Sequence, residues 1–113
     1  MKKENIKAEI EKLKMIKFKW YQTNLGKSNT NDLLSLISSF NHTFSLNFPN
    51  AVTYYDKNSS AEINITDGIK ELNSYVRSKL KKKDDHYFYD GIKNITNGIQ
   101  ILIDSLEYKI QDL

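Results

Sequence analysis

The chain has 113 residues, of which 39% are hydrophobic and 27% charged, with four Gly, one Pro and no Cys. That length predicts one domain spanning residues 1–113, burying roughly two thirds of its unfolded surface in a single core. The missing Cys excludes a disulfide framework, a thiolate nucleophile and any Cys-ligated zinc. So few Gly and Pro leave too few turns for a many-stranded sandwich or barrel.

The formal charge of +3 hides a polarised pattern. Sixteen of the 17 basic residues are Lys, and Arg77 is the single Arg. Residues 1–27 sum to +5 and residues 28–78 to −2; Lys79 and Lys81 to Lys83 add +4, and residues 84–113 carry −4. Antiparallel helices could pair these blocks internally.

The first predicted helix runs from about Lys3 to Gln22, with Ile6, Ile10, Leu13, Ile16 and Trp20 in one stripe at 100° per residue. Met15 and Phe18 fall off that stripe and give the helix a second, smaller apolar surface. Asn24-Leu25-Gly26 reads as its stop, with Gly26 free to turn left-handed. A second helix is expected from Thr30 or Asn31, carrying Leu33, Leu36, Ile37, Phe40 and Phe44 and ended by Pro49. Residues 50–58, with the aromatic pair Tyr54-Tyr55, fit a helical continuation, an extended segment or a loop.

Ser59-x-x-Glu62 has the form of a capping box and opens a third helix through Ile65, Ile69, Leu72, Val76 and Leu80. Asp84 or Asp85 caps the fourth, where Phe88, Ile92, Ile95, Ile99, Leu102, Leu106 and Leu113 form a heptad-like seam. The whole is expected to be all-α: an antiparallel bundle of about four helices, or a long hairpin with broken arms.

Asn64-Ile65-Thr66-Asp67-Gly68-Ile69 is echoed thirty residues later by Asn94-Ile95-Thr96-Asn97-Gly98-Ile99. A glycine inside a helix costs about 1 kcal/mol, so three of them (Gly68, Gly91, Gly98) imply a packing reason. Gly91 and Gly98, one heptad apart beside Ile92, Ile95 and Ile99, point to a close helix–helix approach, within the fold or to a partner chain. Together with Phe88 and the rings of Tyr54 and Tyr55, they are the candidate protein-binding residues.

Catalytic and metal signals are thin. Gly26-Lys27-Ser28 ends like a P-loop, but the upstream glycine position holds Tyr21 and a helix precedes it. His42 and His86 lack a helical zinc partner, and Asp84-Asp85-His86 with Asp90 is explained by a helix cap. No nucleophile–base set is visible, so the chain is expected to be non-enzymatic, without cofactor or metal. The Lys-rich first helix, with Phe18, Trp20 and Tyr21, suits nucleic acid less well than it suits solvent, since one Arg gives little guanine readout. Membrane-surface binding is disfavoured by the Glu residues on the same helix. Charged residues from Glu4 onward interrupt any leader-like apolar run after Met1-Lys2-Lys3, so cytoplasmic synthesis without a cleaved signal peptide is expected.

The second half reads Tyr55-Asp56-Lys57-Asn58-Ser59-Ser60, then a long helical stretch, then Ile95, Ile99, Leu102, Leu106 and Ile110 at helical spacing. This layout resembles the small helical accessory proteins of type VII secretion, the WXG-like partners associated with LXG toxins. The Trp-x-Gly turn of that family is absent: Trp20 precedes Tyr21-Gln22, and Tyr55-Asp56-Lys57 would stand in its place. The resemblance implies a partner or chaperone of a toxin's helical targeting domain, exported without a cleaved leader; separately, the Gly91/Gly98 approach leaves homo- or hetero-oligomers through the last helix open. The resemblance also implies a Tyr-x-x-x-Asp/Glu secretion signal, which Tyr108 and Asp112 match. The alternative on size, charge and helix count is a bacteriocin-type immunity protein, or a phage-encoded inhibitor of a bacterial defence protein.

Overall fold

A computed structural model describes residues 3–22, 46–56, 58–77 and 85–113. All regular structure among them is helical: α1 (Lys3–Gln22), a single-turn 3-10 helix (Ala51–Tyr54), α2 (Ser60–Arg77) and α3 (Asp85–Gln111). The protein is therefore all-α. The second expected helix, apart from its last residues, lies outside the described residues; so do Gly26, His42, Lys79 to Lys83 and the Asp84 cap. Leu46 and Asn47 are helical and the helix has ended by Phe48, one residue before the proline.

α1 has the bounds that its periodicity predicts, and it buries Ile6, Ile10, Leu13 and Trp20. The capping box forms in half: Ser59 Oγ accepts the Glu62 N–H at 3.1 Å, while the Glu62 carboxylate instead accepts from Thr66 Oγ1 at 3.1 Å. Between these helices the open stretch resolves into the 3-10 turn and a short coil. Asn58 adopts the left-handed conformation (φ 72°), which lets Ser59 N–H reach Asp56 O at 2.9 Å and start α2.

α3 is the central element. α2 packs along one side of it, antiparallel, with Gly68 facing Gly91 and Gly98 facing Ala61. α1 lies along another side, also antiparallel: Lys14 reaches Glu107 at 3.7 Å and Lys17 Nζ donates to Gln100 Oε1 at 2.5 Å. The 3-10 turn closes over the end near Leu106. Two neighbours widen the buried stripe of α3 beyond a heptad seam. Phe88, Ile92, Ile95, Ile99, Leu102 and Leu106 are buried as expected, but so are Thr96 and Ile103. Leu113 is exposed because the helix ends at Gln111. Each fully buried Ile or Leu contributes about 1.5–3 kcal/mol, so this one helix supplies a large share of the apolar stabilisation.

Thr96 is tolerated in the core because its hydroxyl donates to Ile92 O (2.9 Å) and Lys93 O (3.0 Å) of its own helix. Among the described residues no buried side-chain nitrogen or oxygen lacks a hydrogen-bond partner.

Candidate protein-binding site

The glycines set the geometry of the α2–α3 joint. A Cβ on Gly68 would stand 2.7 Å from Gly91 O and 2.9 Å from Ile95 N, both backbone atoms. One on Gly98 would meet Ile65 Cγ1 at 2.5 Å and Ala61 O at 2.9 Å, and one on Gly91 would meet Leu72 Cγ at 2.7 Å. Shifting by the thirty-residue repeat exchanges these contacts in pairs. Gly68 against Ile95 becomes Gly98 against Ile65, and Gly68 against Gly91 becomes Gly98 against Ala61. The two hexapeptides thus form a local pseudo-two-fold joint, each isoleucine filling the notch left by the other helix's glycine.

That geometry decides between the two partners left open by the sequence. The close approach is made within the chain, and α2 covers Gly91 and Gly98. Phe88, Ile92, Ile95 and Ile99 are core residues; Phe88 packs on Tyr75 with ring centroids 5.4 Å apart. In this conformation the glycine face of α3 does not stand open to another molecule, which corrects the expectation that a partner docks there. The physical reason is that glycine notches need a helix at van der Waals distance, and α2 supplies it.

The aromatic residues divide. Tyr54 and Tyr55 are half-buried against the core, with a cleft of about 170 Å³ between Asn50, Thr53, Tyr54, Leu106 and Lys109 beside them. Burial raises the Tyr55 phenol above its ordinary value; a hydrogen bond with Thr66 opposes this, and Glu62 adds to it. Tyr108, by contrast, is 69% exposed in the last turn of α3, and Asp112, also exposed, follows four residues later. The candidate secretion signal is therefore at the surface, where a receptor can reach it.

A polar element escaped the sequence reading. Glu9 is only 4% exposed, and its carboxylate accepts hydrogen bonds from Asn50 N–H (3.0 and 3.1 Å), Ala51 N–H (3.0 Å) and Asn50 Nδ2. It caps the 3-10 turn from another helix, doing for its first amides what an N-cap side chain would do locally. The available signal was position: Glu9 lies inside the Ile6, Ile10, Leu13 stripe, where a solvated carboxylate does not belong.

Other large apolar side chains exposed to solvent are spread over the described residues, among them Leu46, Ile63 on α2 and Tyr89 on α3 as well as Met15 and Phe18 on α1. Met15 and Phe18 are 63% and 61% exposed and line a depression of about 290 Å³ with Glu11, Lys14, Lys19 and Gln22. His86 and Asp90 pair at 2.8 Å across one turn of α3, and among the described residues no cluster of three acidic or His side chains could hold a metal ion. No helix among the described residues is long and apolar enough to cross a membrane. Comparison with family models, curated proteins and solved structures finds no match.

Proposed function

We propose that this chain is a non-enzymatic helical protein-binding module, the partner or chaperone of a secreted toxin. The observation that carries the reading is the pairing of Tyr108 and Asp112, exposed and one turn apart where α3 emerges from the core. Upstream, the apolar side chains of α3 are largely packed inside; these two are presented outward. Tyr offers a large rigid surface with a polar tip, which suits recognition by another protein. Binding surfaces on this reading lie outside the α2–α3 joint, on Tyr108, Asp112 and the outer side of α1.

The test is affinity capture of the tagged full chain from its native host, with mass spectrometry, beside export of the Tyr108→Ala variant. Recovery of a secreted toxin, with export lost in a variant that keeps its melting temperature, is the expected result. Capture of a membrane permease would favour an immunity protein, and capture of a defence nuclease would favour an inhibitor; either overturns the secretion role.

A further inference from the structure

We propose that the cleft between the 3-10 turn and the end of α3 anchors one apolar side chain of a partner protein, with a carboxylate beside it. This rests on the protein-binding reading above and names the partner's chemistry. The cleft holds about 170 Å³. Sites for whole small molecules run to about 300–1,000 Å³, whereas an apolar cavity of about 150 Å³ takes up a single benzene ring. The space therefore fits one Phe or Leu side chain. Its apolar lining is the buried Leu106 and the half-buried ring of Tyr54, extended by the methylenes of Lys109, which is half-buried too.

The polar groups of the lining select a carboxylate. Both donor nitrogens of Asn50 are committed to Glu9, and Thr53 Oγ1 donates to Asn50 O at 2.8 Å. Two donors are left. The Lys109 ammonium and the Tyr54 hydroxyl have no hydrogen bond or ion pair among the described residues. Nearby carboxylates do not claim the cation: Glu9 is held by the Asn50 and Ala51 amides, Glu107 reaches Lys14 at 3.7 Å, and Asp112 makes no ion pair with Lys109. An apolar side chain entering the cleft displaces water from the ammonium, which then needs an anion to replace it. A carboxylate, an acceptor with two oxygens, can satisfy the ammonium and the phenol together. Lys109 directly follows Tyr108, so a partner engaging Tyr108 and Asp112 has the cleft wall one residue away.

The probe is a short acetylated peptide, Gly-Ser-Phe-Glu-Ser-Gly, titrated into the full chain and followed by NMR. Saturable shifts are expected at Thr53, Tyr54 and Lys109, with binding at least about tenfold weaker when Ala replaces Phe or Gln replaces Glu. Lys109→Met keeps the stem and drops the charge; it should erase the preference for Glu over Gln at a nearly unchanged melting temperature. Lys109→Glu should turn the preference toward a peptide with Lys in place of Glu. Equal binding of the Phe-Glu and Ala-Glu peptides, equal binding of Phe-Glu and Phe-Gln, no binding of any, or binding of free phenylpropionate but not of the peptide would overturn the proposal. A toxin captured equally well by Lys109→Glu would overturn it too, while leaving the protein-binding role intact. Peptide binding as expected beside failed capture of a toxin would uphold the anchor and remove the secretion role.

Discussion

α3 is held on two sides by different physics. Its joint with α2 is chiefly steric: glycine notches filled by isoleucine, with backbone against backbone, and one part-buried polar contact, Asn94 Nδ2 donating to the Glu71 carboxylate. Its joint with α1 and the 3-10 turn combines apolar packing with polar contacts: Lys17 to Gln100, Lys14 to Glu107, and the Glu9 clamp that ties α1 to Asn50 and Ala51. A steric joint has little tolerance for added atoms, since interiors are close-packed. A polar joint tolerates atoms and fails when a partner is removed, because a buried donor left unpaired carries its full desolvation cost. The two halves of the molecule should therefore break under opposite kinds of substitution.

The largest effect is expected at Gly68. Gly68→Leu should destabilise by about 3 kcal/mol or more, because the α3 backbone at Gly91 and Ile95 prevents relief, despite the gain in helix propensity. Gly68→Ala should cost about 1–3 kcal/mol. Gly91→Ala should cost less than Gly68→Ala, since the atoms it meets first belong to the Leu72 side chain, which can turn away. Urea midpoints for the three variants check the order. Equal costs would mean that the joint is loose and the notches are incidental.

Glu9 is the matching test of the polar joint. Glu9→Ala leaves the Asn50 and Ala51 amides without an acceptor, at about 2–3 kcal/mol. Glu9→Gln, which keeps one acceptor, should cost about half as much. Hydrogen exchange would localise the damage: protection at Ala51 is lost in Glu9→Ala and retained in Gly68→Ala.

How far the sequence reached follows the same division. The α1 bounds, the Ser59 cap and most of the α3 core are set by local periodicity and capping, and they were legible. The glycines announced a close approach, but spacing alone could not say whether α2 or another chain made it. Ile103 and Thr96 were missed because a heptad assumes one neighbouring helix and α3 has two. Glu9 was counted as surface charge; its partners lie 41 and 42 residues away, beyond any local pattern. The candidate binding residues divided for the same reason. Apolar periodicity marks what is buried, so Phe88, Ile92, Ile95 and Ile99 went to the core, while off-stripe Met15 and Phe18 stayed at the surface.

Between the two joints, the coil before α2 carries a smaller test. Asn58 holds a left-handed φ of 72° that an L side chain adopts at a cost. Asn58→Gly should stabilise by about 0.5–1 kcal/mol, and Asn58→Ala should destabilise by about 1 kcal/mol. Matching thermal scans of the pair decide it, because a coil that had no need of the left-handed turn would show the reverse order.

The smallest effect appears only in alkali. The Tyr55 phenol is raised above its ordinary value near 10.0, chiefly by burial, so the folded chain holds that proton to higher pH than the unfolded one. The unfolded state then binds fewer protons, and stability falls as pH rises. The Tyr55 contribution is whole below about pH 10, where both states are protonated, and it drains away as pH climbs through the raised folded value. Tyr55→Phe should remove this part of the alkaline slope while leaving the neutral-pH midpoint nearly unchanged, apart from the lost contact with Thr66. Glu9→Ala should leave that slope in place. An alkaline limb unchanged by Tyr55→Phe would mean that the ring is solvated, and that the 3-10 turn is held by Glu9 alone rather than by Glu9 and a seated aromatic together.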